Sequence, residues 1–356
     1  MRDGLKVTLN TLTPLWTGGV RGVVDRIHET GIIGSLRWWF EILVRGVGGT
    51  ACYPTTASCL YDPDKPSNGL CDVCQVFGAT GWRRRFRLHI VEEDVCDAQI
   101  APTISLRDRQ YTDEQGNIRT PTWYFQDPTR SNIAPNTPKK GPFRIIVQSL
   151  DPRFQPEIIA GLIQFIADWA AIGARAQMGF GVVELANHRI DTRPLFEWLK
   201  QNTGTNVYSD LPSLQNIFLA RIAPKDGRQF SEEDTFNLKY DLRQVFSGTQ
   251  NKNLRHFIMG TVRGQRIAAK VKISRPYNHG RAMRVWGWIP EKTDVYQNSW
   301  DRDSVLDAIY QHLDSAYKLK VWREMNSIRD TVTPKNSDAV AFLQSLLGIE
   351  EVSDAA

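Results

Sequence analysis

The chain has 356 residues, with 44 Lys and Arg against 39 Asp and Glu, a formal net charge of +5 and 41% hydrophobic residues. That length allows two domains with a core each, and the mild basic excess (sequence pI about 8.9) means that any nucleic-acid reading rests on local clusters of cations. No segment reaches the roughly 20 apolar residues of a membrane span, no charged and then apolar leader opens the chain, and five cysteines with a single CxxC pair do not make a secreted disulfide framework; a cytoplasmic protein with no membrane partner is expected.

Leu5 to Leu12 alternates as a first strand. A polar, glycine-bearing loop with Trp16, Gly18, Gly19 and Arg21 follows. Helical periodicity predicts a helix from about Ile33 to Val47, with Ile33, Leu36, Phe40, Leu43 and Val47 as its core stripe. Its polar face carries Arg37, Glu41 and Arg45 beside Trp38. Arginines next to an exposed tryptophan offer phosphate contacts and a stacking surface; a solvated face laced by Arg37–Glu41 pairing is the plainer alternative. Residues 50–80 form an irregular insertion that holds Cys52, Cys59, Cys71 and Cys74. Four thiolates in a loop too small for a core of its own suit a structural Zn²⁺ ion. Free or redox-active cysteines are the alternative, but a thioredoxin-type CxxC would open a helix after a strand, whereas Cys71-Asp72-Val73-Cys74 is read here as lying in a loop.

Arg83, Arg84, Arg85 and Arg87 crowd the entry to a strand at Phe86–Val91, flanked by Trp82 and Phe86. A nucleic-acid backbone contact and a solvated cluster both fit. Ile104–Tyr111 and Ile118–Phe125 read as a hairpin around Gln115-Gly116-Asn117. A proline-rich loop and a strand at Phe143–Leu150 follow. The next helix is predicted from Pro156 to Ile172, capped by Gly173. The run Gly173-Ala-Arg-Ala-Gln-Met-Gly-Phe-Gly181 then leads into a closing strand at Val182–Leu185. A glycine-rich turn exposes backbone N–H groups, and Arg175 adds a cation, a combination suited to a phosphodiester backbone. A helix cap followed by a tight turn explains the glycines equally well.

Strand, helix, strand, strand, helix, strand is the split βαβ, ferredoxin-like order, which also serves RNA-recognition modules. After Asn187 a second unit offers strands at Ile217–Ile222, Gln265–Ser274 and Met283–Ile289. Its helices are predicted at Asp234–Phe246, at Ser304–Tyr317 running on towards Arg323, and at Asp338–Leu347. No final strand is evident in it. Arg266, Lys270 and Lys272 on one strand and Arg284, Trp286 and Trp288 on the next would form a basic, aromatic sheet face, either an RNA platform or a docking face for another subunit. The expected fold is α+β, with two ferredoxin-like (RRM-like, split βαβ) domains in tandem. Residues 1–190 would form the first, with the cysteine insertion at 50–80 and the hairpin insertion at 104–125, and residues 191–356 the second, with terminal helices.

Four motifs in order carry a family resemblance. They are Thr13-Pro-Leu-Trp-Thr-Gly-Gly19, Gly31-Ile-Ile-Gly-Ser-Leu-Arg-Trp-Trp-Phe-Glu41 with Arg45-Gly46, Phe77-Gly-Ala-Thr-Gly-Trp-Arg-Arg-Arg-Phe86, and the glycine-rich loop. Together they resemble the first RAMP subunit of type III-B CRISPR Cmr complexes, over the first half of the chain. The resemblance implies two ferredoxin-like domains and a place near the guide-RNA 3′ end, beside other RAMP subunits, gripping guide RNA (crRNA) and helping to capture target RNA in antiviral defence. It assigns target cleavage to other subunits, and it likens the hairpin to the thumb that wedges into the guide–target duplex. Base pairing would read sequence while the protein reads backbone and shape.

The candidate RNA-contacting residues are Trp16, Arg21, Arg26, His28, Arg37, Trp38, Arg45, Arg83, Arg84, Arg85, Arg175, Gln177 and Met178. Arg37, Arg83, Arg85 and Arg175 are expected to share one continuous surface. The candidate ligands of the structural zinc are Cys52, Cys59, Cys71 and Cys74. No catalytic set stands out: His28 lies near Asp25 and Glu29 but has no nucleophile or metal partner at a known spacing. Two other readings remain open, a metal-independent RNA-processing endonuclease with His28 as base, and a zinc-stabilised assembly protein that binds partner subunits.

Overall fold

The structure, a computed structural model, describes residues 4–19, 23–54, 59–99, 103–105, 110–113, 115–119, 122–124, 137–246, 252–261, 266–291, 301–333 and 338–350. Alternation along four segments builds the first antiparallel sheet from β1 (Leu5–Thr11), β2 (Phe86–Glu92), β3 (Pro142–Ser149) and β4 (Val183–Leu185), in the order β4-β1-β3-β2. Val7 and Leu9, Phe86, Leu88 and Ile90, and Phe143, Ile145 and Val147 all turn to one face and are buried. Helices α1 (Glu29–Gly46), α2 (Asp72–Phe77) and α3 (Glu157–Trp169) supply apolar residues to the same core.

The second sheet comprises β5 (Ile217–Ala223), β6 (Val271–Ile273), β7 (Met283–Trp288) and β8 (Lys318–Glu324), in the order β6-β7-β5-β8. The remaining helices are α4 (Arg193–Gln201), α5 (Glu232–Val245), α6 (Lys252–Met259), α7 (Arg302–Ala316) and α8 (Ala339–Leu347). The molecule is therefore a mixed α/β protein with antiparallel sheets. Among the described residues no helix is long and apolar enough to cross a membrane.

Several elements differ from the sequence reading. Helix α1 starts at Glu29, one turn before Ile33, although Gly31 and Gly34 weaken that turn. Tertiary contacts outweigh the propensity: Ile32 is fully buried, and the His28 N–H donates to Thr17 Oγ1 at 2.9 Å. The segment after Tyr317 does not continue as helix. Leaving the helix, Tyr317 turns extended, and Lys318–Glu324 pairs with β5 as the edge strand that the sequence reading lacks. Helices α4 and α6 are additions to the sequence reading, and the strand expected at Gln265–Ser274 is confined to Val271–Ile273.

Strand β5 is buried on both faces, which explains its unbroken apolar run. Phe218, Ala220 and Ile222 face the core of the second sheet, whereas Ile217 and Leu219 join the core of the first. Trp286 of β7 joins that first core too, as do Leu195 and Leu199 of α4 and Phe342, Leu343, Leu346 and Leu347 of α8. The basic, aromatic face expected of the second sheet is thus spent inside the molecule. Arg284 is 5% exposed and donates to Ala170 O at 2.8 Å and Ala167 O at 2.7 Å. A buried guanidinium, and not Gly173, satisfies the last carbonyls of α3, which ends at Trp169.

Candidate metal centre and nucleic-acid interface

The four cysteines of the insertion converge. Cys52 Sγ lies 3.3 Å from Cys59 Sγ, 3.6 Å from Cys71 Sγ and 3.4 Å from Cys74 Sγ, and all four sulfurs fall within 4.8 Å of one another. Tetrahedral coordination with metal–sulfur bonds of about 2.3 Å would space sulfurs about 3.8 Å apart. The CxxC does not lie in a loop, as the sequence suggests. Cys71 is the N-cap of α2, its sulfur accepting from Cys74 N–H at 3.4 Å.

Supports reach the cluster from three sides. Asp72 Oδ2 accepts from Thr50 N–H at 2.6 Å and Thr50 Oγ1 at 2.7 Å. The Cys71 N–H donates to Cys59 Sγ at 3.2 Å, and Arg37 Nη2 donates to Cys74 Sγ at 3.1 Å. Burial, followed by the Cys59 hydrogen bond, pushes the Cys52 thiol up to about 11, and the Cys74 hydrogen bond together with burial pushes Cys71 up as well. Crowded thiols resist ionisation by themselves, so a bound cation is the natural source of the missing charge.

Three of the arginines expected at an RNA surface, Arg37, Arg45 and Arg85, are used around this cluster and α2. Arg45 is 2% exposed and donates to Glu41 Oε2 at 2.9 Å, to Pro212 O at 3.2 Å and to Cys52 O at 3.4 Å. Arg37 donates to Glu41 Oε1 at 3.1 Å and to Gly78 O at 3.0 Å. The backbone N–H of Arg85 bonds Val76 O at 2.9 Å, while its Nε donates to Gln75 O at 3.1 Å. Arg83 is exposed and Arg84 half-buried. Trp38 is no exposed platform: it is half-buried, edge-on to Trp39 at 4.7 Å, with Lys272 Nζ 5.1 Å from its ring centre.

The glycine-rich segment forms a second centre. Trp16 O accepts from Ala174 N–H at 2.7 Å, Pro14 O accepts from Gly181 N–H at 2.9 Å, and Ser35 Oγ accepts from Gly173 N–H at 2.8 Å. Gly173 (φ +87°) and Gly181 (φ +86°) hold left-handed conformations in close packing, where a Cβ would strike Trp16 O and Ile172 O respectively. Arg175 is itself left-handed, and its guanidinium lies 3.7 Å over the Trp16 ring, a cation–π contact. Burial lowers the Arg175 guanidinium from its ordinary value, a cost that a neighbouring phosphate would offset. Gln177 is exposed, and Met178 packs beside Trp16 and Phe180.

His28 and Arg26 stand at the same corner through Thr17. The Arg26 carbonyl accepts from Thr17 Oγ1 at 3.2 Å. Asp25 Oδ1 lies 2.7 Å from His28 Nε2, and that hydrogen bond lowers the Asp25 carboxyl from its ordinary value. Arg26 is exposed and pairs with Glu29 at 2.8 Å. Arg21 lies outside the described residues.

The sheet topology separates these centres, so the continuous basic surface expected of Arg37, Arg83, Arg85 and Arg175 does not form. Phe86 starts β2 opposite Ser149 at one end of the sheet, whereas Val183 starts β4 opposite Thr11 at the other end. β2 and β4 are also opposite edges. With strands about 4.8 Å apart and a rise of about 3.3 Å per residue, the two corners are about 30 Å apart.

The sequence reading also misses the hold of the second unit on the glycine-rich loop. Lys239 Nζ of α5 donates to Gln177 O at 3.0 Å, and the Arg275 N–H donates to Gly179 O at 3.0 Å. Lys239 follows Leu238 and precedes Leu242 in the helix stripe, so a lysine beside a core row was its available signal.

Comparison with known proteins gives the first unit a family. Residues 8–184 match the family model described as the RAMP superfamily. Among solved structures, the chain is similar to Cmr1 from Pyrococcus furiosus in its apo form, with 13% identity, 86% of this chain and 96% of that chain covered, and a TM-score of 0.46. It is also similar to a chain of the type III-B Cmr-beta complex bound to cognate target RNA and AMPPnP, with 11% identity, coverage of 88% and 100%, and a TM-score of 0.42. No curated protein gave a significant match. The family match spans β1 to β4 and both centres, and it makes the chain a member of the RAMP superfamily.

Proposed function

We propose that this chain is a non-catalytic, RNA-binding RAMP subunit of a type III-B CRISPR ribonucleoprotein. It holds guide RNA, helps to engage target RNA and packs against other RAMP subunits. Its architecture is read as two ferredoxin-like units in tandem, divided near residue 190; the strand orders β4-β1-β3-β2 and β6-β7-β5-β8, each with a helix after its first and third strands, support that reading. The cysteine cluster holds one structural Zn²⁺, which lets residues 50–80 fold without a core of their own.

One observation carries the RNA reading: at the heart of the family match, Arg175 stacks on Trp16 in a glycine-defined turn, with Gln177 exposed and Arg26 and His28 alongside. Such a corner can contact phosphates without reading base identity. Asp25 holds His28 in place at 2.7 Å, and His28 is read here as an RNA contact.

The test is fluorescence anisotropy of a labelled single-stranded RNA against salt, using the full chain. Arg175→Ala and Arg26→Ala should each weaken binding with little sequence preference and lower the salt slope by about 0.7 for each phosphate that is no longer neutralised. Affinity indifferent to both changes would sink the reading. Site-specific cleavage of the RNA that His28→Ala abolishes, with binding intact, would favour the endonuclease instead.

A further inference from the structure

The metal-centre corner carries an aromatic feature that neither the cysteines nor the buried arginines explain. Tyr61 and Trp82 stack with ring centres 5.4 Å apart and an interplanar angle of 24°. Tyr61 is 36% exposed and its neighbour Leu60 is 63% exposed, among the largest exposed apolar side chains described. These side chains are fixed by the backbone. Tyr61 N–H donates to Thr80 O at 3.1 Å, and Leu60 directly follows Cys59, whose sulfur accepts from Cys71 N–H. On the other side, Trp82 Nε1 donates to Gln75 O of α2 at 3.2 Å. The pair is therefore clamped between the cysteine cluster and α2.

Directly after Trp82 come Arg83, exposed, whose Nη2 donates to Leu150 O at 3.3 Å, and Arg84, half-buried. A stacked, partly exposed aromatic pair followed in the chain by two arginines has the composition of a single-strand binding platform: bases stack on the ring while guanidinium groups follow the phosphates. A protein partner would also cover Leu60, but it gives no reason for the arginines that follow Trp82.

We infer that Tyr61, backed by Trp82, with Leu60 before it in the chain and Arg83 and Arg84 directly after Trp82, is a second RNA contact that stacks an unpaired base at the corner of the first sheet away from the glycine-rich one. The inference rests on the RNA-binding reading above and adds a site to it. It also gives the cysteine cluster a role beyond its own loop, because the metal-binding residues position the ring.

Anisotropy with a labelled oligouridine on the full chain tests it. Tyr61→Ala should weaken binding about 5- to 100-fold with the salt slope unchanged, because stacking releases no counterions. Tyr61→Phe should retain binding, and Leu60→Ala should weaken it less. Arg83→Ala should lower the salt slope by about 0.7. Thermal melts confirm that each exposed-site variant folds. Undiminished affinity in Tyr61→Ala and Leu60→Ala, with Arg175→Ala still defective, overturns the platform and leaves the glycine-rich corner standing. Absence of RNA binding by the unaltered chain overturns both.

Discussion

The two corners of the first sheet reach order by opposite means. The glycine-rich corner is set by backbone: left-handed glycines, carbonyls of residues 14 and 16, and donors from a distant helix and strand of the second unit. The cysteine corner is set by side chains from residues 37 to 85, nearly all local in sequence. One arrangement should fail when a single atom is added to the backbone, the other when one of the four sulfurs is removed. Two loops on one fold can thus be rigidified independently, and a lesion at one corner should leave the other intact.

The largest break in this comparison is Gly181→Ala. Its Cβ would collide with the Ile172 carbonyl at a φ that side chains rarely adopt, beside the fully buried Phe180 and Val182. We expect a loss of about 3–5 kcal/mol in chemical denaturation, felt first at the glycine-rich loop and β4. A loss under about 1 kcal/mol would mean that the loop relaxes freely.

Cys71→Ser should act more locally. Elemental analysis of the unaltered chain should give near one zinc per chain, and the variant should lose it. Hydrogen exchange should then accelerate across residues 59–85, while β1, β3 and the glycine-rich loop keep their protection. Equal acceleration at both corners would refute their independence.

The smallest effect tests the support from the second unit. Burial, then the Arg243 charge, lowers Lys239 to about 8, and burial, then the Lys272 charge, lowers Lys270 to about 8, against an ordinary 10.5. Folded, these lysines hold their protons less tightly than when unfolded. Between about pH 8 and 10.5 the unfolded chain therefore binds more protons, and stability rises with pH through that window. The rise should be on the order of 1 kcal/mol per lysine and should shrink in Lys239→Met. A urea midpoint with the same pH profile in both proteins would count against it.

Much of the first unit is legible in the sequence because its strands alternate and its helices have clear stripes. The cysteine set is legible through the CxxC and its companions, and the glycine-rich loop through composition alone. What stays hidden is long-range. Arg45 looks like a surface arginine until Pro212 and Cys52 close over it. Arg284, Trp286 and Lys272 look like a binding face because local alternation cannot tell solvent from a second domain. Strand β8 merges with α7 in the sequence because no glycine or proline separates them and only the extended turn at Tyr317 marks the change. The hairpin around Gln115-Gly116-Asn117 is present as the paired segments Tyr111–Thr112 and Ile118–Arg119, with Thr103–Ser105 against Thr122–Tyr124 below. Residues 106–109 and 125–136, which the hairpin reading and the proline-rich loop include, lie outside the described residues.

Helix α8 gives the chain a timetable. Its Phe342, Leu343, Leu346 and Leu347 sit in the core of the first sheet, and Trp169 Nε1 donates to Leu346 O at 2.9 Å. On a ribosome adding roughly 5–20 residues per second, α8 follows β4 by roughly 10–30 s. During that interval the first unit has all its strands but an uncovered patch on α3 and α4. The nascent chain therefore depends on its own helix α8, or on something that shields the patch until then.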